Sequence, residues 1–142
     1  MSETSDVPGK RAAALARLFE LASRQTHARA HAESLYPAQW AALRYFRDAS
    51  GHHATTAGLA RYQGLALGAV ARTVRTLVTR GLLQKTGLAG RGRAELVELT
   101  AAGAASLQRD PLLPIAAMLQ TVPAEAQAVL AETLEKIVGL KG

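Results

Sequence analysis

The segment from Thr55 to Thr100 constrains the fold more than any other part of the sequence, because glycines and a capping threonine divide it into elements. Thr55 is suited to cap a short helix over Thr56 to Tyr62, which ends near Gly64. A longer helix is predicted over Ala66 to Arg80. "LLQKT" and "ELVELT" are then two short strands joined by "GLAGRGRA". A short helix, a tight turn, a second helix and a β-hairpin form a winged helix-turn-helix.

The helix predicted over Ala66 to Arg80 has two chemically different faces. On a helical wheel the apolar side chains share one side, and the opposite side is polar and basic. The apolar side comprises Leu67, Val70, Val74, Leu77 and Val78, and the polar side comprises Gly68, Arg72, Arg75, Thr76 and Thr79. Such a helix can pack on its own domain and still place arginine against guanine in a DNA major groove. Gly68 and Ala69 allow close approach, and an alanine methyl can contact a thymine methyl.

Further helices are predicted on both sides of this segment. Their apolar residues recur at helical spacing, and their ends coincide with proline or glycine. The first runs from Gly9 to about Ala32 with Leu15, Leu18, Phe19 and Ala22 on one face; the second begins at Pro37 and contains Trp40, Leu43 and Phe46; a third resumes at Ala101 and is interrupted by Pro111 and Pro114; the last starts near Pro123 with Leu130, Leu134, Ile137 and Val138. The predicted fold is mainly α-helical with one small β-hairpin.

The distribution of charge points to a polyanionic partner. The chain has 142 residues, which suits a single domain, and a net charge of +6. Between Thr55 and Thr100 there are seven basic residues and only two acidic ones, so this segment contains most of the excess. A basic surface of this kind suits nucleic acid or an anionic membrane surface.

Several classes of protein are excluded or disfavoured. The chain has no cysteine, which excludes disulfide frameworks, thiolate zinc sites and thiol redox sensing. The start, "MSETSDVPGKR", has no apolar signal region, and no apolar run approaches the roughly 18 residues of a membrane span. We expect a cytoplasmic protein with no membrane partner.

Neither a cofactor nor an enzyme is predicted. "GLAGRG" has glycines typical of a phosphate-binding loop, but a strand follows it where such loops require a helix. His27 and His31 are spaced for a shared metal, yet no third ligand lies at a convincing local spacing, and His52 and His53 fall in an expected loop. No nucleophile elbow or carboxylate pair is present. We therefore predict no cofactor, no metal and no catalysis.

Three stretches resemble the MarR family of bacterial transcriptional regulators in order and spacing. They are "YPAQWAALRYF", "LARYQGLALGAVARTVRTLVTRGLL" and "GRGRAELVELTAAG", within Leu35 to Gly103. The resemblance implies one domain over residues 1–142, with a winged helix-turn-helix at 35–100 and dimerisation helices at 9–34 and 101–142. It also implies a homodimer that binds a pseudo-palindromic double-stranded DNA operator, usually as a repressor, and that is often released by a small aromatic effector.

The resemblance also assigns roles to individual residues. Ala66 to Arg80 becomes the recognition helix, and the hairpin from Lys85 to Thr100 becomes the wing. The expected DNA-binding residues are Gly68, Ala69, Arg72, Arg75 and Thr76 in the major groove, Arg91 and Arg93 in the minor groove and on phosphates, and Thr55 and Arg61 on the DNA backbone. The chain has Arg91 where the family usually has aspartate, and Leu67, Gly68 and Ala69 replace more polar residues. Shape and phosphate contacts are therefore expected to contribute more of the binding.

Two questions stay open at this level. Tyr36, Trp40, Tyr45 and Phe46 crowd one short helix, where they serve as core or line an effector pocket near Arg24, His27 and His31. An alternative function also remains, namely a winged-helix protein-interaction module that uses its basic face on an acidic partner.

Overall fold

The structure is a computed structural model that describes residues 7–89 and 94–140. Within these residues it has seven α-helices and one antiparallel hairpin, which confirms the predicted fold class. The elements in chain order are α1 (Lys10–Arg29), α2 (Pro37–Asp48), α3 (Thr56–Gln63), α4 (Leu67–Thr79), β1 (Leu83–Ala89), β2 (Ala94–Leu99), α5 (Ala101–Leu107), α6 (Leu113–Gln120) and α7 (Ala124–Val138). None of the described helices is both long and apolar enough to cross a membrane.

The chain divides into two compact units, Met1–Asp110 and Pro111–Gly142. The first unit contains α1 to α5 and the hairpin, and the second contains α6 and α7. The prediction of one domain over residues 1–142 stays a prediction.

One hydrophobic core is built from α2, α3, α4, the hairpin and α5. Its fully buried side chains are Trp40, Leu43, Leu59, Val74, Leu77 and Leu83. Trp40 and Leu43 come from the face of α2 that the spacing predicted, and Phe46 is buried beside them. Burying large apolar side chains is the main favourable term in folding, so this cluster holds the winged helix-turn-helix together.

The helix-turn-helix forms through the local signals present in its sequence. The Thr55 hydroxyl oxygen accepts a hydrogen bond from the Gly58 amide at 3.0 Å, which caps the start of α3. Gly64 ends α3 with φ at +66°, a left-handed conformation in which only glycine is free of a Cβ penalty. Leu65 and Ala66 complete the turn before α4 begins.

The hairpin is longer than its sequence predicted. β1 pairs with β2 from Leu83 opposite Leu99 to Ala89 opposite Ala94, with one register shift between Lys85 and Gly87. The pairing resumes after this bulge, so β1 extends into the stretch that was expected to be loop. The Val97 amide also donates to the Ala54 carbonyl at 2.8 Å, which attaches the hairpin to the segment before α3.

The linker between α1 and α2 is backbone-strained and held by side chains from distant elements. Glu33 and Ser34 have φ angles of +58° and +60°, a conformation that costs about 1 kcal/mol per non-glycine residue. Arg109 Nε lies 2.8 Å from the Glu33 carboxylate, and Arg80 Nη1 donates to the Ser34 carbonyl at 2.8 Å. The ends of α5 and α4 therefore fix the linker in place.

A bidentate ion pair joins α2 to the segment after α5. Arg44 Nε and Nη2 donate to the two carboxylate oxygens of Asp110, both at 2.7 Å. Asp110 is only 5% exposed, and paired N–H groups in this fork geometry match a carboxylate well. The ion pair attaches Asp110, the last residue of the first unit, to α2.

Two parts of the chain have no buried helical residue. In α1, Leu15, Leu18 and Phe19 share the predicted face, and all three are exposed. In the second unit, neither α6 nor α7 buries a residue. Pro114 lies in the first turn of α6, where a missing amide hydrogen costs nothing, so it is compatible with a helix that begins at Leu113.

Candidate nucleic-acid interface

Helix α4 separates a buried face from an exposed basic face, as its sequence predicted. Val70, Val74 and Leu77 are buried, with exposed fractions of 3% or less. Arg72, Arg75 and Thr76 lie on the opposite side and are exposed. Neither guanidinium forms a hydrogen bond or an ion pair with another described residue. Two arginines thus face outward from a rigid support with their donors available.

Leu67 does not join the core, and in this respect the prediction from the helical wheel is wrong. Its side chain is 56% exposed. Leu67 lines an open groove between α3 and α4, at an end of the apolar face that lies outside the buried cluster. Val78, at the other end of the same face, packs against the core only partly.

The start of α4 is open and has no polar cap. Ala66 occupies the N-cap position without a side-chain hydrogen bond. Gly68 and Ala69 are both exposed, and a Cβ added to Gly68 would meet nothing within 4 Å. This end of the helix is therefore accessible to a large partner.

Arg61 lies beside this end, in an open groove between α3 and α4. The groove is lined by Ala57, Ala60, Arg61, Gly64, Leu65 and Leu67. Arg61 is exposed, and it forms no hydrogen bond or ion pair with the described residues. Burial raises the pKa of the nearby Tyr45 hydroxyl, and the positive charge of Arg61 partly opposes this shift.

Thr55 is placed differently from the other candidates. It is 3% exposed, and its hydroxyl caps α3. Thr55 therefore stabilises the start of α3 from inside, and the structure does not bring it to the exposed face with Arg61, Arg72 and Arg75. The predicted contact between Thr55 and the DNA backbone would require an exposed side chain, and the Thr55 side chain is buried.

The described part of the hairpin has one basic and two acidic residues, and both acidic side chains have partners on β1. Lys85 Nζ lies 3.1 Å from the Glu95 carboxylate, and Gln84 donates to Glu98 at 3.1 Å. Arg91 and Arg93, the residues expected in the minor groove, lie outside the described residues. Their roles stay predictions.

The aromatic cluster of α2 divides between two environments. Trp40 and Phe46 are buried in the core, whereas Tyr36 is 63% exposed. The Tyr36 ring packs edge-on against His31, which in turn packs edge-on against His27. Ser23, Arg24, His27, Ala28 and His31 line an open depression on the surface of α1. In the described part of the chain, no three histidine, aspartate or glutamate side chains come together as a metal site.

Two features of this surface escaped prediction. Arg80 is exposed, but its guanidinium donates a hydrogen bond to the Ser34 carbonyl. Tyr62 and Leu65, beside the basic face, are 77% and 55% exposed. The apolar run from Gly64 to Ala71 gave no signal of this exposure, since apolar residues are most often buried.

The arrangement of α3, α4 and the hairpin defines a winged helix-turn-helix protein. Comparison with solved structures shows that this chain has the fold of the MarR family regulators, as the resemblance implied. A probable transcriptional regulator from Pseudomonas aeruginosa matches with a TM-score of 0.66 at 24% identity, over 86% of this chain and 95% of that chain. A MarR family transcriptional regulator from Rhodococcus sp. matches with 0.65 at 19% identity, over 88% and 89%.

A mutant of E. coli MarR complexed with operator DNA has the same fold. It matches with a TM-score of 0.62 at 23% identity, over 87% of this chain and 92% of that chain. No family model and no curated protein matches the chain. The similarity therefore rests on structure, and these three matches cover 86–88% of this chain.

Proposed function

We propose that this protein is a homodimeric, cytoplasmic transcriptional regulator that binds double-stranded DNA in a sequence-specific manner. The observation that supports this most is the outward-facing pair Arg72 and Arg75 on α4, a helix held from behind by Val70, Val74 and Leu77. An arginine in this position can give two parallel hydrogen bonds to guanine O6 and N7. The operator DNA in the complex of E. coli MarR supports the same function for this fold.

The proposal assigns different tasks to the basic residues. Arg72, Arg75 and Thr76 would enter the major groove, where base edges differ from one another. Arg61, Arg91 and Arg93 would contact phosphates and the flanking minor groove, which position the protein without specifying sequence. Binding should weaken steeply as salt is added, because each neutralised phosphate releases counterions.

The exposed apolar faces support assembly as a homodimer. Leu15, Leu18, Phe19 and Leu21 of α1 are 41–60% exposed, and Val129, Leu130, Leu134 and Val138 of α7 are 37–84% exposed. Apolar surface of this extent is typical of protein interfaces. A two-fold dimer would place its two recognition helices on half-sites roughly 10 base pairs apart, which requires a pseudo-palindromic operator.

Repression and its release by an aromatic effector complete the proposal. The depression around Arg24, His27 and His31, with the exposed Tyr36 ring nearby, has the cationic and aromatic groups that would suit an aromatic acid. Trp40 is the only tryptophan, so its fluorescence reports directly on α2. Titration with aromatic acids should change this fluorescence and release bound DNA; no response to a panel of such acids would contradict this part.

The central experiment selects bound fragments from a random duplex library and then measures affinity by fluorescence anisotropy at several salt concentrations. We expect preference for one pseudo-palindromic sequence over random duplex. Arg72→Ala should cost about 1–3 kcal/mol on the selected duplex and relax its base preference. Arg11→Ala is the matched control, since Arg11 is an exposed arginine on α1 with no described partner. Equal losses for both variants, or equal affinity for all duplexes, would contradict the proposal.

A further inference from the structure

The start of the recognition helix is an exposed apolar surface beside the basic face. We call Leu65, Ala66, Leu67, Gly68 and Ala69 the apolar tip; all five are exposed, and Leu65 and Leu67 are 55% and 56% exposed. From Gly64 to Ala71 no side chain can donate or accept a hydrogen bond. The residues at this end of such a helix are those that contact base edges. No side chain of the apolar tip can therefore form a hydrogen bond with a base.

Only one group on the floor of the major groove suits such a surface. Guanine, cytosine and adenine present hydrogen-bond donors or acceptors there, whereas thymine also presents a C5-methyl group. When a methyl group packs against leucine or alanine, the apolar surfaces of both groups are removed from water, which favours the contact. We infer that the apolar tip recognises thymine methyl groups, and that this contact is a main source of base preference at that end of α4.

The surroundings of the apolar tip fit a position against DNA. Arg61 lines the same groove as Leu65 and Leu67, and Arg72 and Arg75 follow one and two turns further along α4. Arg61 on one side of the apolar tip suits a phosphate, and Arg72 and Arg75 on the other side suit base edges further along the groove. Gly68 has open space around it, so the DNA can approach the helix backbone closely.

The same geometry predicts what lies next to the thymine. Arg72 is three residues beyond Ala69, about 4.5 Å along the helix axis. One base pair rises about 3.4 Å, so Arg72 would meet the first or second base pair beyond the methyl contact. The expected half-site therefore has one or more thymines adjacent to a guanine.

This inference rests on the proposed function, and its test separates the two. Once a preferred duplex is known, each thymine of a half-site is replaced in turn by uracil, which removes the methyl group and changes no hydrogen-bonding group. At one position or more we expect affinity to fall about fourfold, the equivalent of burying one methyl group. Failure to find any preferred duplex would contradict the proposed function. A preferred duplex on which every uracil is neutral would overturn the inference alone.

Variants identify the residues that make the contact. Replacing both Leu65 and Leu67 by serine, which removes their apolar side chains and leaves a hydroxyl that binds water, should bring the thymine-to-uracil affinity ratio close to one at the sensitive position. Val7→Ser is the control, because Val7 is also an exposed apolar residue, at 79%, and lies before α1, outside the helix-turn-helix and the wing; its ratio should stay at about four. Circular dichroism and thermal unfolding of each variant verify that it is folded. An unchanged ratio in the folded double variant would show that other residues contact the methyl group, and would overturn the assignment.

Discussion

Residues 35–110 and the helices on either side of them use apolar side chains in opposite ways. In the former, α2 to α5 and the hairpin bury a shared cluster that includes Trp40, Leu77 and Leu83. In α1, and separately in the unit that begins at Pro111, no helical residue is buried. The first arrangement lets the chain stabilise its own winged helix-turn-helix. The second leaves apolar surface that association with another chain would cover.

The difference between the two regions is tested most directly by truncating one apolar side chain in each of them. Trp40→Ala should lower the free energy of unfolding by about 3–5 kcal/mol, because it removes a completely buried indole and leaves a cavity. Val138→Ala should change it by less than about 0.5 kcal/mol in dilute protein, since Val138 is 84% exposed. Urea unfolding followed by circular dichroism measures both, and similar losses would show that the two regions do not differ as described.

A charged residue introduced into the exposed apolar face of α1 should affect association between chains. In the proposed homodimer, Leu18→Glu in α1 should weaken association by about 3 kcal/mol, or roughly 100-fold in Kd, because a two-fold interface would contain the substitution twice. Ala16→Glu introduces the same charge on the opposite face of α1 and is the control. Sedimentation equilibrium gives the dimer constant for each. A dimer that tolerates Leu18→Glu would exclude this face of α1 from the interface.

A smaller effect distinguishes packed from open positions among the glycines. Gly103→Ala should cost about 1–3 kcal/mol, because its Cβ would collide with the Leu82 carbonyl oxygen where α5 packs on the hairpin. Gly68→Ala should instead stabilise by about 0.5–1 kcal/mol, since alanine suits a helix and nothing lies nearby. Thermal unfolding ranks the two variants. The reverse order would mean that the close contact at Gly103 is relieved by backbone movement.

Local signals explain most of what the sequence predicted correctly. The cap at Thr55, the left-handed residue at Gly64 and the spacing of Val70, Val74 and Leu77 act within one or two helical turns. These local interactions involve residues that are close together in the chain, so they can be predicted from a single sequence.

Contacts between distant residues explain what the sequence did not predict. The position of Leu67 depends on where the core ends, and the hydrogen bond from Arg80 to Ser34 joins residues separated in the chain by α2, α3 and α4. The burial of Thr55 depends on the hairpin, since Thr55 pairs with Leu96 across an isolated bridge. The candidate DNA-binding residues on α3 and α4 are exposed as expected apart from Thr55, and their contacts with DNA stay predictions.

The linker before α2 limits which sequences this chain can tolerate over evolutionary time. Glu33 and Ser34 adopt consecutive left-handed conformations that β-branched residues strongly disfavour. Glycine, asparagine and aspartate are the expected replacements at either position, whereas valine and isoleucine would be selected against. Substitutions at Arg109 should be accepted mainly together with changes at Glu33, whose carboxylate it contacts, whereas Arg80 binds a backbone carbonyl that any residue at position 34 supplies.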